Sequence, residues 1–279
     1  MTRKLNFRSL VMLAATFLLV PAMVFAEEDE DDSRAACRTL PGQASLKTAL
    51  DAAVATEGSG LNLHMWATIV NRDGIVCAVA FSGTNRGAQW PGSRVISAQK
   101  ANTANSFSLD SSSASGGSGS STGLALSTAN LYSAVQPGGS LFGLQESNPV
   151  DVSVAYRGNS NNYGKSNDPM VGGKIGGVNV FGGGLALYAT GQKLVGGVGV
   201  SGDTSCADHN IGWRVRNNLK LDHMLGVGGV GGDAAHPDNI KYDVIPNPSG
   251  GTGNSPSGFG HPTCPNTDLA VGALPPVQP

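Results

Sequence analysis

The sequence lacks the short cysteine and histidine pairings that mark common metal and haem attachment motifs. No two of its four cysteines are spaced as Cys-x-x-Cys, which excludes zinc-ribbon, thioredoxin-type and Cys-x-x-Cys-His signatures. None of its five histidines pairs as His-x-x-x-His or His-Glu-x-x-His, so a zinc site made of protein ligands alone has no support. No pair of acidic residues is spaced for acid–base catalysis.

The sequence has one long apolar run, near the amino terminus, and no other. There, three basic residues precede an apolar stretch from Leu10 to Val20 and a small-x-small cleavage site. These are the parts of a secretory signal peptide, which we place at residues 1–26. An uncleaved anchor is the less favoured alternative, because a spanning helix needs roughly 20 apolar residues. We therefore predict a periplasmic or secreted protein with no stable membrane insertion after cleavage.

The chain has no excess of basic charge. It holds 18 Lys and Arg against 20 Asp and Glu, and three of the basic residues belong to the signal. The mature chain then carries 15 basic and 20 acidic side chains, a net charge of −5. Nucleic acid is excluded as a partner, because phosphate binding requires a basic surface. We interpret residues 27–42, which begin with an acidic run, as a solvated amino-terminal segment.

The cysteines all lie in the expected mature chain. An even number of cysteines in an exported protein favours disulfides. Four cysteines allow three pairings. We favour Cys206 with Cys264, which would hold the carboxyl-terminal tail, and Cys37 with Cys77.

Two stretches lack the large apolar residues that a core requires. Asp110 to Gly123 is almost entirely Ser, Gly and Ala, which is the composition of a flexible linker. From Pro246 onward the chain is rich in Pro, Gly, Asn and Thr. We predict one domain over residues 43–222, with an insertion at about 110–123, followed by a loose Gly/Pro-rich tail over residues 223–279.

Apolar periodicity predicts three helices, at Gln43–Glu57, Gly92–Phe107 and Ser205–Leu221. Asp73-Gly74 between two β-rich runs predicts a hairpin of Met65–Val70 and Ile75–Phe81. Three further strands are predicted at Lys174–Phe181, Leu185–Thr190 and Lys193–Val200. Sequential antiparallel strands with helices packed on them are typical of the α+β class.

Two catalytic or cofactor motifs are present only in part. Gly197–Gly202 fits Gly-x-Gly-x-x-Gly, and Asp222 lies 20 residues later, but no second parallel strand follows the helix. We interpret these glycines as a tight turn with a close helix approach. Ser97-x-x-Lys100 fits a serine acylase pattern, but its companion motifs are missing.

The segment Ile96–Phe107, with its Lys-Ala-x-Thr-Ala centre, resembles the GlcG/HbpS-like haem-binding family, also called the haem-degrading or DUF336 family. The family's Asp-Gly hairpin is matched at Ile69–Gly74. The family's Gly-Gly strand pair is matched at Gly182–Gly184. Its Gly-rich turn is matched at Leu194–Gly202, and the acidic residue that follows the turn is matched at Asp208. The match covers about Leu46 to Leu221. The chain departs from the family at Ser82–Ala88, in the long insertion and in the tail.

The resemblance implies a profilin-like α+β domain with a five-stranded antiparallel sheet, assembled into homo-oligomers, that binds haem or a related tetrapyrrole. Candidate ligand-binding residues are Lys100, Thr103, Gly199, Ser201, Gly202 and Asp208. Position near the glycine turn makes His209 a candidate axial ligand, and a partly exposed histidine near the helix start is the alternative. His64, at the start of the first strand, is interpreted as structural.

Our leading hypothesis is an exported haem- or tetrapyrrole-binding protein, non-catalytic or only incidentally catalytic, with a role in haem handling or redox sensing. One alternative is an enzyme that acts on a small metabolite, with Lys100, Thr103 and Asp208 around one pocket. Lys100 and Thr103 share a helix face, which suits binding, catalysis or an ordinary surface helix. Another alternative is a structural module whose insertion contacts a partner.

Overall fold

A computed structural model describes residues 35–113, 122–231, 233–266 and 274–279. The predicted signal peptide, and the centre of the predicted Ser/Gly-rich insertion, lie outside these residues. Within the described ranges, none of the helices combines the length and apolar character that crossing a membrane requires.

The secondary structure follows the predicted order. The helices are α1 (Gln43–Thr56), α2 (Ser93–Phe107), the single turn α3 (Val152–Ala155) and α4 (Ser205–Asn218). The strands are β1 (Trp66–Asn71), β2 (Val76–Phe81), the short β3 (Leu124–Ala125), β4 (Gly184–Ala189), β5 (Lys193–Ser201) and the short β6 (Gly228–Gly229).

A four-stranded antiparallel sheet of order β2-β1-β5-β4 is the centre of the domain. The predicted hairpin is confirmed as β1 and β2. Its turn is held by Asn71, whose Oδ1 accepts hydrogen bonds from the backbone N–H groups of Asp73 and Ile75. Gly74 adopts φ +76°, a left-handed conformation that glycine takes without strain.

The strand predicted at Lys174–Phe181 is wrong, so the described residues contain a four-stranded sheet rather than a five-stranded one. Lys174 forms one bridge to Ile75 beside β2, and the chain then leaves the sheet. Gly176 and Gly177 take φ values of +62° and +80°, which end an extended conformation. The α+β class itself is confirmed.

The helices form one layer on each side of the sheet. Leu46 and Leu50 of α1 pack with Ile211 and Val215 of α4 against one face. The other face packs against α2 through small residues such as Ala98 and Ala101. Strand side chains alternate between the two faces, so each layer has its own core cluster.

Glycines in β5 allow the backbone of α2 to approach the sheet directly. A Cβ atom on Gly199 would lie 1.9 Å from the carbonyl oxygen of Ser97, and one on Gly197 would lie 2.3 Å from that of Ala101. A Cβ atom on Gly184 in β4 would likewise lie 2.4 Å from the carbonyl oxygen of Lys100. The glycine run therefore serves close helix packing, as its sequence interpretation predicts.

The described part of the tail is irregular and packs on the domain, and it does so through more contacts than the predicted disulfide alone. Asp238 forms a fully buried bidentate ion pair with Arg216 of α4, with N–O distances of 2.6 and 2.9 Å. Pro275 accepts a hydrogen bond from Trp213 Nε1 at 2.8 Å. Ile240 and Val277 are buried, so few apolar residues suffice when polar anchors accompany them.

Both favoured disulfides are confirmed. Cys37 is joined to Cys77 of β2, and Cys206 of α4 is joined to Cys264 of the tail. The first ties the segment before α1 to the sheet, and the second ties the tail to α4.

We predict that Gly199→Ala destabilises the protein by about 3 kcal/mol, because α2 must move to admit the methyl group. Gly92→Ala is the matched control. Its added Cβ would meet nothing within 4 Å, and its backbone is right-handed helical, so we expect a change within about 0.5 kcal/mol. Urea unfolding of both variants measures the difference, and equal midpoints would contradict the packing role of Gly199.

Candidate functional site

A buried ion pair joins the two helical layers where β5 ends. Lys100 Nζ of α2 lies 2.6 Å from Asp208 Oδ2 of α4, and neither side chain is exposed. Lys100 also donates to the carbonyl of Val200 at 3.1 Å. The Lys100 ammonium lies 3.8 Å from the ring centroid of Phe181, a cation–π contact. The family's lysine helix and its acidic residue thus meet at one point.

The second oxygen of Asp208 holds the Gly-rich turn. Asp208 Oδ1 accepts hydrogen bonds from the backbone N–H groups of Gly202 and Asp203 at 3.0 and 2.9 Å. Burial raises the pKa of Asp208 to about 6, against the opposing effect of Lys100. Burial also lowers the pKa of Lys100, and Asp208 opposes that shift. Every polar atom of this pair is therefore engaged inside the protein.

The other predicted ligand residues also have internal positions. Thr103 donates to the Gln99 carbonyl at 2.8 Å and accepts from the Asn179 N–H at 2.9 Å, so it anchors a loop on α2. Ser201 is buried and pairs with Trp66 in the register between β5 and β1. Gly199 faces α2, and a Cβ on Gly202 would meet the His64 carbonyl at 2.4 Å. The structure brings Lys100, Gly202 and Asp208 together and directs Thr103 elsewhere.

The two partial motifs have structural roles. Ser97 shares a 2.8 Å hydrogen bond with Thr68 of β1 and donates to the Arg94 carbonyl, away from Lys100. Asp222 accepts from Asn217 and from Gln278 of the tail, at 2.7 and 2.8 Å. Neither arrangement supports acylation or dinucleotide binding.

His209 is fully buried, so the interpretation as a partly exposed histidine near the helix start is wrong. Its Nε2 accepts the Ile240 N–H at 3.1 Å and lies 3.2 Å from Asn239 Oδ1, both in the tail. Its Nδ1 is buried with no hydrogen-bond partner. Burial lowers the pKa of His209 to about 4, so the ring is neutral at pH 7. The tail occupies Nε2 and Nδ1 is buried, so neither ring nitrogen is open to an axial position.

His64, which the sequence analysis interprets as structural, lies at the surface. It is exposed, and its Nδ1 lies 3.2 Å from Ser82 Oγ. Nε2 is then the nitrogen that could bind a metal, since a metal-bound histidine is usually held through its other ring nitrogen. His223 has a similar contact from Nδ1 to the Pro279 carbonyl at 2.6 Å. No sequence signal separates these two rings from His209, because the difference is one of burial.

A surface groove of about 730 Å³ lies between α1 and the end of α4. It contains none of the predicted ligand residues. The predicted site residues instead form a structural junction, and the groove is lined by other residues, from α1 and the end of α4.

Comparison with known proteins identifies the family. The model of the family described as haem degrading protein HbpS-like matches residues 43–214, more than half of the chain. The chain belongs to the HbpS-like family. The resemblance predicted from the Lys-Ala-x-Thr-Ala helix and the Gly-rich turn is therefore confirmed.

Three solved structures show similarity to this chain at 22% sequence identity or less. A PduOC:heme complex is 20% identical over 62% of this chain and 88% of its own, with a TM-score of 0.39. The Klebsiella pneumoniae protein ORFY of family DUF336 is 22% identical over 63% and 88%, with a TM-score of 0.40. A double mutant of Streptomyces reticuli HbpS is 15% identical over 77% and 96%, with a TM-score of 0.35. No curated protein matches the chain.

We predict that Lys100→Met destabilises the protein by about 3–5 kcal/mol, because Asp208 would lose its buried counter-charge. Lys47→Met is the matched control. Lys47 pairs with Asp51 at 2.9 Å on the exposed face of α1, where such a pair contributes about 0.3–0.5 kcal/mol. Denaturant unfolding compares the two, and similar small losses would show that the buried pair is dispensable.

A second prediction concerns the free energy of unfolding at acid pH. The folded protein holds His209 neutral down to a pH of about 4, whereas the unfolded chain protonates near 6.5. Protonation of this histidine in the unfolded chain therefore lowers the free energy of unfolding as the pH falls from 6.5 towards 4, by about 3 kcal/mol. Above pH 6.5 this loss is absent. His209→Gln removes the titrating ring and should flatten the pH dependence of the unfolding free energy by that amount. Parallel curves for the wild type and His209→Gln would contradict the argument.

Proposed function

We propose that this protein is an exported haem-binding protein that handles haem rather than degrading it. The observation that carries the proposal is the match of residues 43–214 to the HbpS-like family. Export is supported by the signal-like residues 1–26 and by the two disulfides, which persist in oxidising compartments. Assembly into homo-oligomers, as the resemblance implies, is part of the same proposal.

His64 is the residue that we assign to the haem iron. Of the two histidines within the matched region, His209 is buried under the tail and His64 is exposed. A neutral imidazole with Nε2 available is a common axial ligand. The bound group would supply the redox and spectroscopic properties of its iron, while the chain supplies the nitrogen and the surrounding surface.

The loop of residues 82–91 begins beside this ring and carries groups that suit haem. It begins at Ser82, which contacts His64 Nδ1, and a Cβ on Gly83 would lie 3.5 Å from His64 Cδ2. Trp90 in the same loop is 51% exposed and presents an apolar face that suits a flat macrocycle. Exposed Arg86 supplies a cation that suits a propionate. In this loop the chain departs from the family pattern, which is a reason to expect its own mode of haem contact.

An enzyme that uses Lys100, Thr103 and Asp208 has less support. Lys100 and Asp208 neutralise each other with no exposure, and Thr103 serves a loop. A nucleophile or general base needs access to its substrate. We therefore favour a structural role for these three residues, and haem binding at His64, over catalysis.

Titration of the mature chain with hemin tests the proposal. We expect a Soret shift that saturates near about one haem per chain, and at least a tenfold weaker affinity for His64→Ala, as for loss of an axial ligand. His223→Ala is the matched control, because His223 also has Nδ1 engaged but lies outside the family region, and it should bind haem as the wild type does.

The outcomes separate the two parts of the proposal. Weak, non-saturating binding by the wild type would overturn haem binding itself. Saturable binding that His64→Ala leaves unchanged would retain haem binding and reject His64 as the ligand. A spectrum altered by His209→Gln alone would return that role to the buried histidine.

A further inference from the structure

A second group of potential metal ligands lies where the tail meets the start of α4. The sulfur atoms of Cys206 and Cys264 and a ring nitrogen of His261 all lie within 4.8 Å of one another. Across the residues that the structure describes, no other group of three His, Cys, Asp or Glu side chains brings its ligand atoms this close. The two sulfurs are joined as a disulfide, so the group is closed to a metal in this state.

His261 has the orientation of a metal ligand. Its Nδ1 lies 2.6 Å from the carbonyl oxygen of Pro262, to which it donates in the neutral ring. Its Nε2 then accepts from the hydroxyl of Ser205 at 2.7 Å. A metal-bound histidine is usually fixed in this way, by a carbonyl on the nitrogen that does not bind.

The position of His261 does not depend on the disulfide alone. The carbonyl of the preceding Gly260 accepts from both the N–H and the hydroxyl of Ser133, and His261 N–H donates to the Lys241 carbonyl at 2.7 Å. The His261 ring packs on Tyr132 with centroids 4.8 Å apart. These contacts would hold the imidazole beside α4 when the sulfurs separate.

The two sulfurs differ in access and environment. Cys264 is half-buried, whereas Cys206 is only 1% exposed, so a reductant reaches Cys264 first. Cys206 is the second residue of α4, after the N-cap Thr204. A thiolate is stabilised at a helix amino terminus, so Cys206 is suited to leave and later to bind a cation.

We propose that reduction of the Cys206–Cys264 disulfide opens a Cys2His site for a thiophilic divalent cation of the Zn²⁺ type. A dithiol reductant supplies two electrons and two protons, breaks the S–S bond and leaves as its own disulfide. Binding of the cation then displaces the two thiol protons, which pass to solvent. Three protein ligands leave a fourth position for water.

Reduction would replace the covalent link between the tail and α4 by a metal-ion link. In the oxidised protein a covalent bond holds the tail to α4, and in the reduced protein the cation would hold the same two segments. The site would therefore sense the redox state without release of the tail. This inference does not rest on haem binding, and haem-free protein is used to test it.

Cobalt titration of the reduced mature chain is the decisive measurement, because Co²⁺ bound to thiolates gives charge-transfer bands. We expect these bands to saturate at about one Co²⁺ per chain, to be displaced by Zn²⁺, and to be absent in the oxidised protein. Cys37→Ser/Cys77→Ser is the matched control, since it removes the other disulfide and should bind Co²⁺ unchanged. Cys206→Ser/Cys264→Ser should abolish the bands, and His261→Ala should weaken binding at least about tenfold.

Folding is followed by circular dichroism in every sample. Reduced protein that stays folded should gain thermal stability with Zn²⁺, and reduced protein that unfolds should refold with it. Failure of either response, or thiolate bands that persist in Cys206→Ser/Cys264→Ser, would overturn the proposal.

Discussion

The buried pair of Lys100 and Asp208 is the interaction on which the rest of the domain depends. It lies where β5 ends and α4 begins, and it links α2 on one face of the sheet to α4 on the other. A charge taken out of water needs partners for all its polar atoms. Here those partners are the Val200 carbonyl and the N–H groups of the Gly-rich turn, so the pair also fixes the course of the backbone.

The tail supplies a second set of buried polar contacts, this time on α4. Arg216 is paired with Asp238, and His209 receives the N–H of Ile240. These contacts cover a helix that carries the last residues of the family match. The tail therefore belongs to the folded unit, and its removal would leave Arg216 buried or exposed without a counter-charge.

Much of the fold could be predicted from local patterns. The periodicity of Gln43–Glu57 and the Asp73-Gly74 turn act over a few residues, and both predictions agree with the structure. The strand at Lys174–Phe181 failed because Gly176 and Gly177 take left-handed conformations that apolar alternation does not reveal. The packing of the tail could not be predicted for a different reason, since Asp238 and Arg216 become partners only when the chain is folded.

The candidate site was predictable only as a set of residues. The family pattern selected Lys100 and Asp208, and these do meet, but the sequence could not show that each would neutralise the other. Burial decided between the histidines, placing His209 beneath the tail and His64 in solvent.

The ends of the Ser/Gly-rich insertion are joined to each other. Leu109 and Leu124 exchange two backbone hydrogen bonds, at 2.7 and 3.0 Å, and β3 then continues into its pairing with β6. The entropy of closing a loop rises only slowly with its length, by about 0.6 kcal/mol for each doubling. A change in the length of this insertion would therefore cost the domain little, which makes this position a permissive one for acquiring new sequence.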